Sequence, residues 1–225
     1  MFPIFDINNI CVTPLGYPLS YIELIGIVTG LVSVWCAARA NIWTWPVGLV
    51  NVTAFFFLFY QVRLYSDVLL QVFFFVTTCY GWYYWRRQDV ASDTGKITLL
   101  THRARMVALA VLFAGTVALG YGMSRVHIHL PTLFPEPASF PYPDALTTVL
   151  SVAATFLLAQ RKIESWVLWI TVDVVSIGLY AMKEIVFTSL LYCVFLVIAS
   201  FGLVHWRRVY HHESRTCARE IHADS

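Results

Sequence analysis

Asp173 is an ionisable residue deep inside a long apolar stretch, and its neighbours are of a type that can do recognition chemistry. Trp166 and Trp169 form a W-x-x-W, so at i and i+3 they share a helical face that Asp173, at i+7, continues. Asn51 lies at similar depth in an earlier apolar run. A third run carries Gln71, Phe74, Phe75, Thr78, Trp82 and Trp85 along one side, and a later one carries Tyr192, Phe195, Ala199 and Gly202. A carboxylate, amides and hydroxyls among aromatic faces suit a flat ring with hydroxyl substituents, best a cationic one held by stacking and cation–π attraction. Each group also has a structural reading: an intramembrane hydrogen bond for Asp173, an interfacial aromatic belt for Trp43, Trp45 and Trp166, and packing for the aromatic stripes. A charge at depth is costly enough that Asp173 is a functional candidate by default.

The elements that must position these groups follow from composition. Of 225 residues 59% are hydrophobic and 12% charged, against about 45–50% and about 25% in soluble domains. A bilayer-crossing helix needs roughly 17–25 apolar residues, and such runs lie near 21–38, 44–61, 67–85, 106–123, 144–160, 166–182 and 185–206. Backbone groups in lipid must pair internally, so each run is expected to be a helix. The expected class is an all-α integral membrane protein with seven transmembrane helices, with the bilayer itself as a partner. A net charge of +2 is too small to suggest nucleic acid, and the sequence shows no basic stripe and no nucleic-acid motif. No P-loop, G-x-S-x-G, H-E-x-x-H or C-x-x-C is present, so neither an enzyme nor any cofactor or metal is expected.

The loops between seven spans fall into two sets. One holds Arg63, Arg125 and Lys183; the other holds the remaining 12 of the 15 Lys and Arg. Cytoplasmic loops are rich in these residues, which places the N-terminus outside and the C-terminus inside. Residues 1–18, interrupted by Pro3, Asn8, Asn9, Pro14 and Pro18, form a short outer segment. Residues 86–105 are expected as a polar inner loop, 124–143 as a stiff Pro-rich outer loop, and 207–225 as a disordered charged tail.

Sliding the chain by 121 residues aligns its two ends. Tyr21 meets Tyr142, Glu23 meets Asp144, Phe74 meets Phe195, Gly81 meets Gly202, Trp85 meets Trp206, and Arg86-Arg87 meets Arg207-Arg208. A one-residue slip in the middle brings Asn51 opposite Asp173 and Arg39 opposite Arg161. These matches define two three-helix units, 19–87 and 144–206, joined through a linker helix within 88–143. The resulting 3+1+3 plan is that of parallel-repeat, SWEET-like transporters, whose substrate sits between repeats near the midplane.

The stretch WPVGLVNVTAFFFLFYQVRLYSDVLLQVFFFVTTCYGWYYWRR (45–87) closely resembles the bacterial PnuC nicotinamide riboside transporters. The stretch ESWVLWITVDVVSIGLYAMK (164–183) resembles their second conserved block. The resemblance covers nearly the whole chain from about residue 19, weakly in the fourth span. It implies a SWEET-like fold, a bacterial inner-membrane location and homotrimers. It further implies uptake of nicotinamide riboside by facilitated diffusion, with a cytoplasmic kinase trapping the product and feeding NAD synthesis. The family's W-x-x-W falls on Trp166 and Trp169, and its midplane polar positions on Asn51, Gln71 and Asp173. On this reading Trp82, Trp166 and Trp169 sandwich the ring, Asp173 and Asn51 hold the ribose or balance the charge, and Gln71 and Tyr192 read the carboxamide or hydroxyls, with Thr78 beside them. Related proteins carry thiamine or riboflavin, so the cargo stays open among these vitamins. A non-transporting receptor or assembly subunit is the different-class alternative, which the short loops disfavour.

Overall fold

The computed structural model describes residues 6–61, 65–91, 96–129, 140–182 and 185–223. It is helical almost throughout. The helices are α1 (Tyr21–Ala38), α2 (Thr44–Gln61), α3 (Tyr65–Ala91), α4 (His102–His129), α5 (Pro141–Ala159), α6 (Glu164–Met182) and α7 (Val186–Ala223). Each expected span overlaps one of them. Five, α1 and α4 to α7, are long and apolar enough to cross a membrane by length and mean hydropathy. The other two, α2 and α3, are 18 and 27 residues long; their Trp, Tyr, Asn and Gln content lowers their hydropathy.

Three boundaries differ from expectation. The polar inner loop is shorter than 86–105, because α3 runs on to Ala91 and α4 begins at His102. The linker helix continues to His129, so 124–129 are helical; the Pro-rich segment 130–139 lies outside the described residues. The tail is not disordered: α7 continues to Ala223 over 38 residues. Nothing between Arg207 and Ala223 breaks a helix, with no Gly or Pro, and extending a formed helix avoids the cost of nucleation.

Packing joins α1 to α2 and α2 to α3, α5 to α6 and α6 to α7, with α4 on α5; α1 also meets α7, and α3 meets α5. Between α1 and α2, Ser33 Oγ donates to Thr44 O at 2.8 Å and Thr44 Oγ1 to Ser33 O at 2.9 Å. The turns after α1 and α5 are built alike. Ala40 (φ 52°) and Arg161 (φ 54°) adopt the left-handed conformation. Asn41 N–H donates to Cys36 O and Lys162 N–H to Leu157 O, both at 2.9 Å, closing each helix with the bond pattern of a Schellman cap. Ala40, and not Arg39, thus shares Arg161's backbone conformation. The 121-residue offset holds there without the one-residue slip.

The core lies at the end of the bundle that carries Arg86-Arg87 and Arg207-Arg208. Trp45 is 3% exposed, and Trp85, Trp166 and Trp206 are 0% exposed. Trp45 meets Trp85 edge-on at 5.3 Å and 84°, Trp166 meets Trp206 at 5.7 Å and 78°, and Trp85 and Trp206 lie 6.2 Å apart. The Trp85 indole donates to Ala159 O and that of Trp206 to Ala37 O, each at 3.0 Å. Trp45 therefore belongs to the core and not to an aromatic belt; Trp43, 63% exposed, is free to serve in one. Gly81 and Gly202 seat these rings.

Two further segments brace the bundle. Residues 96–101 lie along the α5–α6 turn: Thr98 N–H donates to Arg161 O (3.0 Å), Ile163 N–H to Thr98 O (3.1 Å) and Leu100 N–H to Glu164 Oε1 (3.0 Å). Glu164 also pairs with Arg105 at 2.9 Å, and Ile97 is buried in the tryptophan core. At the opposite end, residues before α1 form a small hairpin of β1 (Ile10–Val12) and β2 (Leu19–Ser20). Within it Tyr17 stacks on Phe187 of α7 at 5.3 Å and donates to Glu23 Oε1 at 2.8 Å. Burial, then the hydrogen bond and charge of Glu23, push the Tyr17 phenol up to about 12, so it remains a donor at neutral pH.

A methyl group at Gly81 would overlap the Trp45 ring, whereas one at Gly178 meets nothing within 4 Å. Gly81→Ala should therefore cost about 1–3 kcal/mol, as overpacked cores do. Thermal unfolding in detergent should show a lower midpoint for Gly81→Ala and an unchanged one for Gly178→Ala.

Candidate functional site

Asp173 and Ser176 of α6 are 4% and 3% exposed. At i and i+3 they share a face, which Tyr180 continues at i+7. α7 supplies Tyr192, whose hydroxyl interacts with Ser176 and lies in the field of Asp173. The Tyr192 ring stacks on Tyr180 at 5.5 Å and 14° and lies 6.2 Å from Phe195. Phe195 in turn reaches α1. A Cβ on Gly30 would sit 3.8 Å from Phe195 Cζ and 2.8 Å from Asn51 Nδ2. Asn51, Tyr192 and Asp173 are thereby brought into one chain of contacts that crosses from α2 past α1 to α7 and α6.

The partners of these groups differ. Asn51 Nδ2 donates to Gly26 O at 2.6 Å, so one of its two amide N–H groups ties α2 to α1, and the second N–H and the carbonyl oxygen are not used in that contact. Asp173 makes no hydrogen bond or ion pair among the described residues. Burying a carboxylate without a partner costs several kcal/mol in effective terms. Asp173 stands between two groups of helices, two turns from the tryptophan core.

The remaining expected residues are placed as follows. Trp82 and Trp169 are half-buried and pack on the edge of the tryptophan core, with Trp169 one turn from Asp173 on α6. Thr78 is buried against Gly48, whose Cβ would sit 3.5 Å from Thr78 Cγ2. Gln71 is half-buried on α3 and has no described bond to the Asp173 group. Trp166 is fully buried: a Cβ on Gly202 would come within 2.9 Å of its ring, and Trp206 meets it edge-on. Sequence reading passed over Ser176 and Tyr180. Their signal was the i, i+3, i+7 spacing from Asp173, the same rule that had linked the W-x-x-W to it.

An all-helical membrane bundle that holds an unpartnered carboxyl and aromatic rings between two groups of helices is the architecture of a membrane transporter. Comparison with known proteins agrees. Residues 20–208 match the family described as nicotinamide mononucleotide transporter, and the chain belongs to that family. It is 33% identical over 222 residues to the nicotinamide riboside transporter PnuC of Escherichia coli K12, spanning 90% of this chain and 93% of the relative. It is 26% identical over 186 residues to the riboflavin/roseoflavin transporter RibM of Streptomyces davaonensis, spanning 82% and 83%. The crystal structure of the vitamin B3 transporter PnuC superposes with a TM-score of 0.64 at 23% identity, covering 85% of this chain and 83% of that one. Family and fold are those of a multi-pass inner-membrane transporter and not of an enzyme.

Because the Asn51 amide serves the α1–α2 contact, Asn51→Leu should remove the bond between α2 and the Gly26 carbonyl, which keeps the Thr29 hydroxyl as a donor, and cost about 0.5–1.5 kcal/mol. Unfolding in detergent should show this loss whether or not cargo is present.

Proposed function

We propose that the protein takes up nicotinamide riboside by facilitated diffusion, with a cytoplasmic riboside kinase trapping the product. The observation that carries this reading is the buried, unpartnered Asp173 carboxyl at the centre of an aromatic and hydroxyl-bearing contact chain. A cationic pyridinium supplies the missing charge, and a ribose supplies donors for Asp173, the Tyr192 hydroxyl and the Asn51 carbonyl. Trp82 and Trp169, between this group and the tryptophan core, are the rings against which the pyridinium stacks. Gln71 and Thr78 on α3 line the approach from the other side. The relatives named as nicotinamide riboside transporters support this cargo.

In this reading all seven helices span the membrane, α2 and α3 among them, with the N-terminus outside and the Arg-rich end in the cytoplasm. Two units, α1–α3 and α5–α7, form a 3+1+3 parallel repeat with α4 as linker. The like-built turns at Ala40 and Arg161, the reciprocal bonds of Trp85 and Trp206, and the paired seats Gly81 and Gly202 all fall at or within one residue of the 121-residue offset and support it. Rocking of one unit against the other exchanges access, and three copies assemble through their exposed apolar faces.

The RibM relative favours riboflavin as a second cargo. Its neutral ring gains less from Asp173, and thiamine, also cationic, gains as much as nicotinamide riboside. Calorimetry of the purified protein with all three should give heat with nicotinamide riboside; heat with riboflavin alone would replace the cargo and keep the transport class. Asp173→Asn removes a buried charge and keeps its shape. It should raise the thermal midpoint while lowering nicotinamide riboside uptake into proteoliposomes by about tenfold or more, the equivalent of a lost charge-assisted contact. Unchanged uptake would remove Asp173 from the site, and absence of flux for every vitamin would point to the receptor alternative.

A further inference from the structure

The helix-to-helix contacts that fasten α1–α3 to α5–α7 are concentrated toward one end, while at the other Tyr17, before α1, stacks on Phe187 of α7. Trp35 of α1 stacks on Phe201 of α7 at 5.3 Å and 17°, and Tyr80 of α3 stacks on Phe156 of α5 at 6.2 Å and 12°. One turn further on, the indoles of Trp206 and Trp85 bond to Ala37 O and Ala159 O, and the two indoles meet each other. These helix-to-helix contacts lie within two turns of Arg86 and Arg207. Toward the middle of the bundle the contact described between the two groups is the looser one of Phe195 with Gly30. Asp173 is two turns beyond Trp166, so a cargo moving from the Asp173 group to the Arg-rich side meets this fastening.

We propose, building on the transport reading, that this tryptophan clasp is the gate on the Arg-rich side. The donors on Trp85 and Trp206 are what hold it shut. Opening parts the two stacked ring pairs and releases both indole–carbonyl bonds together, since each bond joins the same two bodies. The clasp also contains the means of its release. The indole N–H groups of Trp45 and Trp166 are buried without a partner among the described residues, and buried donors in that state weigh against the closed form. Water entering as the units part gives both a partner, so the closed and open states are brought closer in free energy. Arg161 adds a hold on one side only, with its guanidinium 4.2 Å above the Trp85 ring.

A permanent pivot would have the same contacts but would never part, and two measurements separate the cases. In full-length protein freed of its native cysteines, Trp35 and Phe201 are replaced by cysteines and joined with a short reversible bis-methanethiosulfonate reagent. Uptake of nicotinamide riboside into proteoliposomes should fall by about tenfold or more and return on reduction, as expected when gating limits turnover. Full uptake by protein shown by mass to be cross-linked overturns the proposal. The pair Tyr80 and Phe156 offers the same test should the first variant fail to fold. The second measurement needs no cargo, so its outcome is independent of the transport reading. Trp85→Phe with Trp206→Phe keeps the rings and removes both donors. A single cysteine at Ser176 should then react with a membrane-impermeant maleimide from the Arg-rich side about threefold faster or more, a modest shift of population. An unchanged labelling rate shows that the bonds do not control access.

Discussion

A helix that ends inside a membrane protein leaves carbonyl oxygens that no water reaches, and something in the chain must satisfy them. The last turns of α1 and α5 meet this constraint twice over. Backbone donors from Asn41 and Lys162 curl back to close each helix, and indole donors arrive from α7 and α3 on the opposite group of helices. Much else follows from these two indoles. They set how far α3 and α7 slide along their partners, and they decide where Trp45 and Trp166 must lie. Those rings require glycine at 81 and 202. The depth of the rings then fixes the depth of Asp173, two turns along α6.

The chemistry is carried unevenly. At a strict offset of 121 residues, without the slip that sets Asn51 opposite Asp173, Trp169, Asp173 and Ser176 on α6 correspond to Gly48, Val52 and Phe55 on α2. One group of helices thus holds a ring, a carboxyl and a hydroxyl where the other holds no side chain, a methyl-bearing stub and a phenyl ring. Asn51 has one amide N–H committed to Gly26. On the proposed repeat and site, recognition is concentrated in the second group.

The helices were legible because lipid leaves the backbone one solution and because apolar runs mark it. Their ends were less so. The continuation of α7 past Arg207 was hidden by charge, which signals water but says nothing against a helix. Asp173 stood out through cost alone, an acid where acids are expensive. The roles of the tryptophans were harder to divide. Trp82, Trp166 and Trp169 look alike in sequence, and only the structure shows that Trp166 is the one seated against Gly202. Trp45 and Trp43 two positions apart face opposite environments. The small hairpin before α1 and the docking of 96–101 depend on contacts distant in sequence, such as Tyr17 with Phe187 and Thr98 with Lys162, for which no local period exists.

The length of α7 has a mechanical consequence. At 38 residues it is about 57 Å long, against about 30 Å for the hydrocarbon core. Its final turns therefore stand clear of the membrane as a rod stiffly continuous with the segment that carries Tyr192, Phe195 and Trp206. A rod of this kind is a lever arm, and a tilt too small to notice at Trp206 becomes a displacement of several ångströms at its tip. Its far end is a natural place to read out the working cycle from outside the bilayer.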